Sequence, residues 1–231
     1  LGSLYTTICE FIGYGKYGDE GKVMGLAPLG SNRFADLLED MLALTPSGIK
    51  LSSKFVLPFG ANEGMAIDQN GSVSLVRHYS NHLVQYLGPP RHPQNEITHR
   101  EKDLAFSLQF RFEKAYLHLI NILHDLVPSD NVAIAGGCAL NSVANGMIFD
   151  HTPFANTCIQ PAAGDEGLAL GSALYVSNSV LRGGSRWEME QSYLGPTFSD
   201  SKIRSELQRY NVQFDFVDEQ ELIRRTVESI E

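Results

Sequence analysis

The sequence of 231 residues has no long apolar run and no excess of positive charge. No segment approaches the roughly 18 consecutive apolar residues that a membrane-spanning helix needs. The formal net charge of −9 argues against a surface that grips nucleic acid, because such surfaces gather Lys and Arg. We therefore expect a protein that binds neither membrane nor nucleic acid. A nucleotide pocket is compatible with this charge, since it needs only local N–H groups, one lysine and a metal ion.

The three cysteines are too few to indicate a disulfide framework, and the seven histidines are scattered singly along the chain. Cys9, Cys138 and Cys158 are odd in number and lack metal-ligand spacing, which favours a reducing compartment and a cytoplasmic protein. His78 and His82 are four residues apart, as a metal pair on a helix would be. Their flanking sequence is not helical in pattern, and no acidic residue completes a ligand set. No Ser/His/Asp constellation follows from spacing alone.

The two ends of the chain predict a fragment of a longer protein. The N-terminus has no initiating methionine and no signal-peptide pattern, and the chain ends inside the helical pattern DEQELIRRTVESIE. A Gly/Arg/Ser stretch over residues 182–186 indicates a linker.

Hydrophobic spacing predicts an α/β fold. Apolar residues recur every three or four positions from Glu101 to Val127, as on one buried face of a long helix. Two strand-to-helix units follow over residues 131–148 and 155–181, an order that favours a mostly parallel sheet with packed helices. Further predictions are helices over 2–12, after Asp19 and over 33–44, strand and loop over 49–59, an irregular region over 60–97, and a helix, strand, helix tail with VQFDFV as its strand.

The first strand-to-helix unit has a glycine-rich turn. An apolar run over 132–135 leads into GGCALN, Gly136 to Asn141, and then into the helix-compatible SVANGMI. Two glycines between a strand and a helix start expose backbone N–H groups, an arrangement that suits phosphate. Two alternatives stay open. The glycines can serve a tight turn alone, and Asn141 can cap its own helix instead of binding a phosphate or ribose oxygen.

The second unit has an acidic turn. A strand ending at Ile159 leads into QPAAGDEG and then into an apolar helix, with Asp165 at its start. A carboxylate beside a phosphate-binding turn can hold a divalent cation, and the alternative role for Asp165 is an N-cap. We expect Glu166 to face solvent. The two turns together predict opposite walls of a cleft for a nucleotide and its metal.

The segment GYGKYGDEGKVMGLAPLG, residues 13–30, contains six glycines together with Asp19, Glu20 and Lys22. It predicts either a flexible surface loop that leads into a helix or a lid over a nucleoside. In the lid, a carboxylate takes the ribose hydroxyls, and Lys22 neutralises phosphate or packs on the base.

Five motifs in register resemble the O-carbamoyltransferase family, whose members act in nodulation-factor and antibiotic biosynthesis. They are DEGKVMGLAPLG, LGPPRHP, DLAFSLQ, AGGCALNSVANGMI and QPAAGDEGLALGSALY, in order over nearly the whole chain. The amino-terminal domain of that family resembles the tRNA threonylcarbamoyladenosine enzymes and belongs to the actin-like ATPase superfold of actin, sugar kinases and Hsp70. The resemblance implies that this chain supplies the carboxy-terminal subdomain of that superfold.

The resemblance implies a carbamoyltransferase that uses ATP and a divalent metal, iron in this family with magnesium as the alternative. Carbamoyl phosphate and ATP give a carbamoyl-adenylate, and the carbamoyl group then passes to a hydroxyl of a sugar-containing acceptor. We expect the isolated chain to be inactive, because catalysis needs donor and acceptor held together. An ATP-dependent sugar kinase of the same superfold and a non-catalytic nucleotide-binding module stay open as alternatives.

The resemblance also assigns site residues. The nucleotide-binding set is Glu20, Lys22, Gly136, Gly137, Asn141 and Gly164, and the metal ligand is Asp165. The related tRNA enzymes have an aspartate directly before the lysine, where this chain has Gly21, so Glu20 is expected to replace it. The family's paired H-x-x-x-H metal ligands have no counterpart before the glycine-rich segment.

The same resemblance divides the chain. Residues 1–181 correspond to part of the nucleotide- and metal-binding domain, and 182–192 to a linker. Residues 193–231, which open with YLGPTFSD, correspond to the start of a carbamoyl-phosphate-processing domain. The remaining domains of the same protein are the expected partners.

Overall fold

The computed structural model describes residues 1–16, 18–57, 65–67, 69, 73–75, 77–182 and 186–230. The chain forms two compact units, Leu1–Gly184 and Ser185–Glu231. Parts of the region 60–97, the linker residues 183–185 and Tyr17 of the glycine-rich segment lie outside the described residues. Within the described ranges, no helix is long and apolar enough to cross a membrane.

The first unit combines helices with short strands. Its helices are α1 (Gly2–Phe11), α2 (Glu20–Leu26), α3 (Ala35–Met41), α4 (Asn81–Leu87), α5 (His99–Leu126), α6 (Ser142–Gly146), α7 (Ile148–His151) and α8 (Leu168–Tyr175). Its strands are β1 (Leu42–Thr45), β2 (Gly48–Leu51), β3 (Met65–Ile67), β4 (Val73–Leu75), β5 (Asn131–Ile134) and β6 (Asn156–Ile159). The α/β class predicted from the sequence is confirmed.

Helix α5 lies at the centre of this unit. Its start is fixed by a capping box, in which Thr98 accepts from the Arg100 N–H and the Glu101 carboxylate accepts from the Thr98 N–H at 2.9 Å. Its buried apolar residues, which include Leu104, Leu108 and Phe112, share the core with α1, α2 and α3. The long helix predicted over 101–127 is confirmed, and it fixes where α1 and α2 lie.

The strands form three two-stranded sheets. The pairs β1–β2 and β3–β4 are antiparallel, whereas β5 and β6 are parallel, with Ile134 opposite Ile159. The expected parallel arrangement therefore holds for one pair among the described strands. Because parallel strands end at the same edge of a sheet, the turns that follow β5 and β6 lie side by side.

Three local predictions were wrong. Residues 42–44 form a strand instead of the end of a helix, because Leu42–Thr45 pairs with Gly48–Leu51 in a hairpin. Helix α4 and the paired strands β3 and β4 lie in the region expected to be irregular, and the Ser80 hydroxyl caps α4 by accepting from the Leu83 N–H. The segment VQFDFV, residues 212–217, is not a strand.

The second unit contains α9 (Asp200–Arg209) and α10 (Glu219–Ile230). Hydrogen bonds from Arg224 and Arg225 lower the pKa of Glu221 to about 2. These groups are on the surface, where ion pairs add little stability.

Candidate functional site

A cleft of about 460 Å³ opens in the first unit, beside the turns that follow β5 and β6. Its walls come from α1, the start of α2 and the two turns, and Phe112 of α5 reaches it from the core. The lining residues are Gly2, Tyr5, Thr6, Gly18, Glu20, Gly21, Met24, Phe112, Gly137, Cys138, Leu140, Asn141, Gly164, Asp165 and Glu166. A cleft at the carboxyl ends of parallel strands is the usual ligand site of α/β proteins.

The glycine-rich turn gives its two glycines different roles. Gly136 has φ of +96°, which favours glycine, and its N–H donates to the Ala163 carbonyl at 2.7 Å. This N–H is therefore engaged within the protein, and Gly136 is not one of the lining residues. The assignment of Gly136 to the nucleotide site stays a prediction, and its own N–H cannot be the group that binds the nucleotide.

Gly137 begins a short 3₁₀ turn, Gly137–Leu140, and lines the cleft. A Cβ built on Gly137 would meet no atom within 4 Å. Packing within the described protein therefore does not require glycine here, and the space beside it is the cleft. The first N–H groups of such a turn have no partner inside the turn, which leaves them for an acceptor in the cleft.

Asp165 lines the cleft from the turn after β6. It is the first residue of the 3₁₀ turn Asp165–Gly167, whose N-cap is Gly164, whereas α8 begins at Leu168 with Gly167 as N-cap. The alternative role of Asp165 as N-cap of the following helix, α8, is therefore wrong. Gly164 and Glu166 also line the cleft, and the Glu166 carboxylate accepts from the Gly164 N–H at 3.3 Å. Glu166 is exposed as expected, at the edge of the cleft.

Glu20 and Lys22, the two nucleotide-binding residues predicted in the glycine-rich segment, take different positions at the start of α2. Glu20 lines the cleft, and one of its oxygens accepts from the Thr6 hydroxyl at 2.9 Å. Lys22 is not a lining residue; its ammonium lies 2.6 Å from Asp19, which is buried. Burial opposes ionisation of Asp19, yet the hydrogen bond and charge of Lys22 lower its pKa overall. The structure brings Glu20 to the cleft and pairs Lys22 elsewhere.

Asn141 lines the cleft and is 8% exposed. Its Oδ1 accepts from the Ala144 N–H at 3.0 Å, which caps α6, so the capping role left open by the sequence is present. Asn141 also forms two amide hydrogen bonds with Gln109 of α5. Gln109 ends the motif DLAFSLQ, and no role was predicted for it from the sequence.

The inner wall of the cleft is apolar and aromatic. Tyr5 and Phe112 meet edge to face with ring centroids 5.4 Å apart, and Met24 and Leu140 complete this surface. Burial raises the pKa of Tyr5, so its hydroxyl stays protonated and donates to Gln109. A surface of this kind suits the flat face of a nucleobase.

The charged lining residues are acidic. Glu20, Asp165 and Glu166 line the cleft, and no Lys or Arg is among its described lining residues. A phosphate bound here would need an accompanying cation, because three carboxylates repel it. The described residues do not complete such a site, since no group of three His, Cys, Asp or Glu side chains among them could hold a metal ion.

His78 and His82 do not form a metal pair. The His78 ring lies 3.4 Å from Glu10, while the His82 ring packs against Phe55 with centroids 5.1 Å apart. Both contacts are local to the core around α1 and α4.

Comparison with known proteins identifies the family. Residues 1–174 match the family described as carbamoyltransferase N-terminus. The chain belongs to this family. The resemblance stated from the five sequence motifs is thereby confirmed.

Two relatives with a functional name are nodulation proteins. NolNO of Sinorhizobium fredii is 32% identical over 209 residues, 90% of this chain and 27% of that protein. NolO of Bradyrhizobium diazoefficiens is 30% identical over 203 residues, 87% of this chain and 33% of that protein. An uncharacterized protein of Synechocystis is 34% identical over 230 residues, 96% of this chain and 35% of the relative. The chain thus spans about a third of the length of these curated relatives.

Proposed function

We propose that this chain is part of an ATP-dependent O-carbamoyltransferase. The observation that carries the proposal is a cleft, in a chain of the carbamoyltransferase family, that Gly137 and Asp165 line from two neighbouring turns. We assign the phosphates to the turn amides, the nucleobase to the aromatic wall, and the ribose hydroxyls to Glu20.

The proposed reaction has two steps. Carbamoyl phosphate and ATP form a carbamoyl-adenylate, and the carbamoyl group then passes to a hydroxyl of the acceptor. In sum, carbamoyl phosphate, ATP, water and the acceptor hydroxyl give the carbamoylated acceptor, AMP, pyrophosphate and phosphate. Because two relatives are named nodulation proteins, we propose a sugar-containing acceptor such as a nodulation factor or an antibiotic.

We propose the actin-like ATPase superfold for residues 1–181, a linker over 182–192, and the start of a second domain over 193–231. The parallel pair β5–β6 with its crossover through α6 and α7 supports this assignment. We further propose a cytoplasmic location, which three free cysteines support.

A divalent metal, iron or magnesium, stays part of the proposal, with Asp165 as one carboxylate ligand. Since the described residues do not complete the site, the other ligands would come from outside them. The charge needed beside a bound phosphate is what such an ion would supply.

The proposal predicts that the isolated chain, which spans about a third of its relatives' length, does not turn over. Catalysis needs donor and acceptor held together, and losing that proximity raises the activation barrier by roughly 7 to 11 kcal/mol. The test uses the whole protein with ATP, carbamoyl phosphate and a panel of hydroxylated acceptors. Mass spectrometry should find a carbamoyl adduct together with AMP and pyrophosphate. ADP with a phosphorylated sugar would instead identify a sugar kinase, and no nucleotide product with any acceptor would make the proposal wrong.

A further inference from the structure

Gln109 lies at the centre of a buried group of hydrogen bonds that joins α1, α5 and α6. Its Oε1 accepts from Tyr5 Oη at 2.8 Å and from Asn141 Nδ2 at 2.9 Å. Its Nε2 donates to Glu113 Oε1 at 2.8 Å and to Asn141 Oδ1 at 3.1 Å. A glutamine amide has two donors and two acceptor sites, so all four are used. The side chain is 5% exposed.

These bonds fix which way the Asn141 amide faces. Its Oδ1 accepts from both the Ala144 N–H and Gln109 Nε2. A flipped amide would turn its NH₂ group towards those two donors and lose both bonds, so the oxygen is held on this side. The Asn141 Nδ2 can donate two hydrogen bonds, and one goes to Gln109.

The second N–H of Asn141 has no acceptor among the described residues, and Asn141 lines the cleft. The neighbouring Tyr5 lines the same cleft while donating to Gln109. The buried amide pair therefore holds the Asn141 amide in one orientation, with one donor left over, beside the surface where a ligand would bind. Holding a donor in place before binding reduces the entropy lost when the ligand arrives.

We propose that Gln109, with Tyr5, is a positioning residue that orients the Asn141 amide, whose second N–H donates to an oxygen of a nucleoside phosphate. This inference rests on the proposed function, because it concerns the ligand of the same cleft. Asn141 touches the ligand, and Gln109 acts only through Asn141.

The test is a double-mutant cycle in the whole protein, with the Kd of ATP measured calorimetrically. Asn141→Ala and Gln109→Leu should each weaken ATP binding about three- to tenfold, because each removes the contribution of one hydrogen bond. The double variant should bind no more weakly than Asn141→Ala alone, because Gln109 has no effect without its partner. Gln94→Leu, an exposed substitution of the same kind, should leave the Kd unchanged.

A second readout separates positioning from general damage. The KM for carbamoyl phosphate should stay at its wild-type value in Gln109→Leu. A misfolded protein would instead bind both ATP and carbamoyl phosphate more weakly. If Gln109→Leu does not fold, Tyr5→Phe replaces it in the cycle, since it removes one hydrogen bond and keeps the ring against Phe112. We expect Tyr5→Phe to weaken ATP binding in the otherwise wild-type protein and to have no further effect in a protein that carries Asn141→Ala.

Losses that add in the double variant, or a Gln109→Leu protein that binds ATP normally, would overturn the positioning role and leave the proposed function standing. A wild-type protein that binds no ATP would overturn both.

Discussion

The Gly136 N–H donates a 2.7 Å hydrogen bond to the carbonyl oxygen of Ala163. This bond joins the turn after β5 to the turn after β6, immediately beside the cleft that both turns line. It adds to the strand pairing of Ile134 with Ile159. Backbone hydrogen bonds thereby join the glycine-rich turn to the acidic turn.

The two glycines of the first turn should respond differently to alanine. Gly137→Ala should leave the free energy of unfolding unchanged, because its Cβ meets no described atom, but should weaken ATP binding about tenfold or more by placing a methyl group against the phosphate. Gly136→Ala should cost about 1–2 kcal/mol in urea unfolding, because its φ is +96°. If the Gly137→Ala protein bound ATP as tightly as wild type, the phosphate would not lie against this turn.

Glu20 should recognise the ribose. The wild-type whole protein should bind ATP about tenfold more tightly than 2′,3′-dideoxy-ATP, and Glu20→Ala should abolish this preference. Thr6→Val, which removes the hydroxyl that donates to Glu20, should reduce the preference in part. Glu206→Ala in the second unit is the matched control. Equal preference in wild type and Glu20→Ala would show that Glu20 contacts no ribose hydroxyl.

Asp165 should be required for turnover. Asp165→Asn in the whole protein should lower the rate by about a hundredfold or more, because it removes one charge beside the proposed cation. Asp150→Asn, an exposed change on α7, should leave the rate unchanged. Wild-type turnover in Asp165→Asn would favour a non-catalytic role for the cleft.

Stability should fall in alkali as buried tyrosines ionise. Burial raises the pKa of Tyr116 from 10.0 to about 12, and it also raises that of Tyr5. The folded state keeps these protons while the unfolded state releases them, so their contribution is complete below pH 10 and is lost as pH rises towards 12. Urea unfolding between pH 9 and 12 should show this loss, and Tyr116→Phe should reduce it. A flat profile in wild type would contradict it.

Local signals in the sequence predicted much of the fold. The period of the apolar residues predicted α5 from Glu101 onwards, whereas the Thr98–Glu101 capping box that fixes its start was not predicted. The turns after β5 and β6 were found because glycine and aspartate follow two apolar strands. Residues 42–44 were assigned wrongly because Leu42 and Leu44 continue a helical spacing, and pairing with β2 overrides it.

The contacts that complete the site were not predictable in the same way. Gln109 and Asn141 are 32 residues apart, and they meet only because α6 packs against α5. Asp19 and Lys22 are three residues apart at the start of α2, a spacing at which opposite charges pair on a helix, but this pairing was not predicted because Lys22 was assigned to a ligand. The motif DLAFSLQ pointed to the family, but the role of its glutamine depends on packing.

Cys138 reports directly on whether a nucleotide occupies this cleft. Cys138 lines the cleft, and burial raises its pKa, whereas Cys158 is exposed on β6 and is not a lining residue. Alkylation of the whole protein with iodoacetamide, read by mass spectrometry, measures both thiols at once. ATP at ten times its Kd should slow the labelling of Cys138 about tenfold and leave that of Cys158 unchanged. Equal labelling of Cys138 with and without bound ATP would place the nucleotide elsewhere and contradict the account.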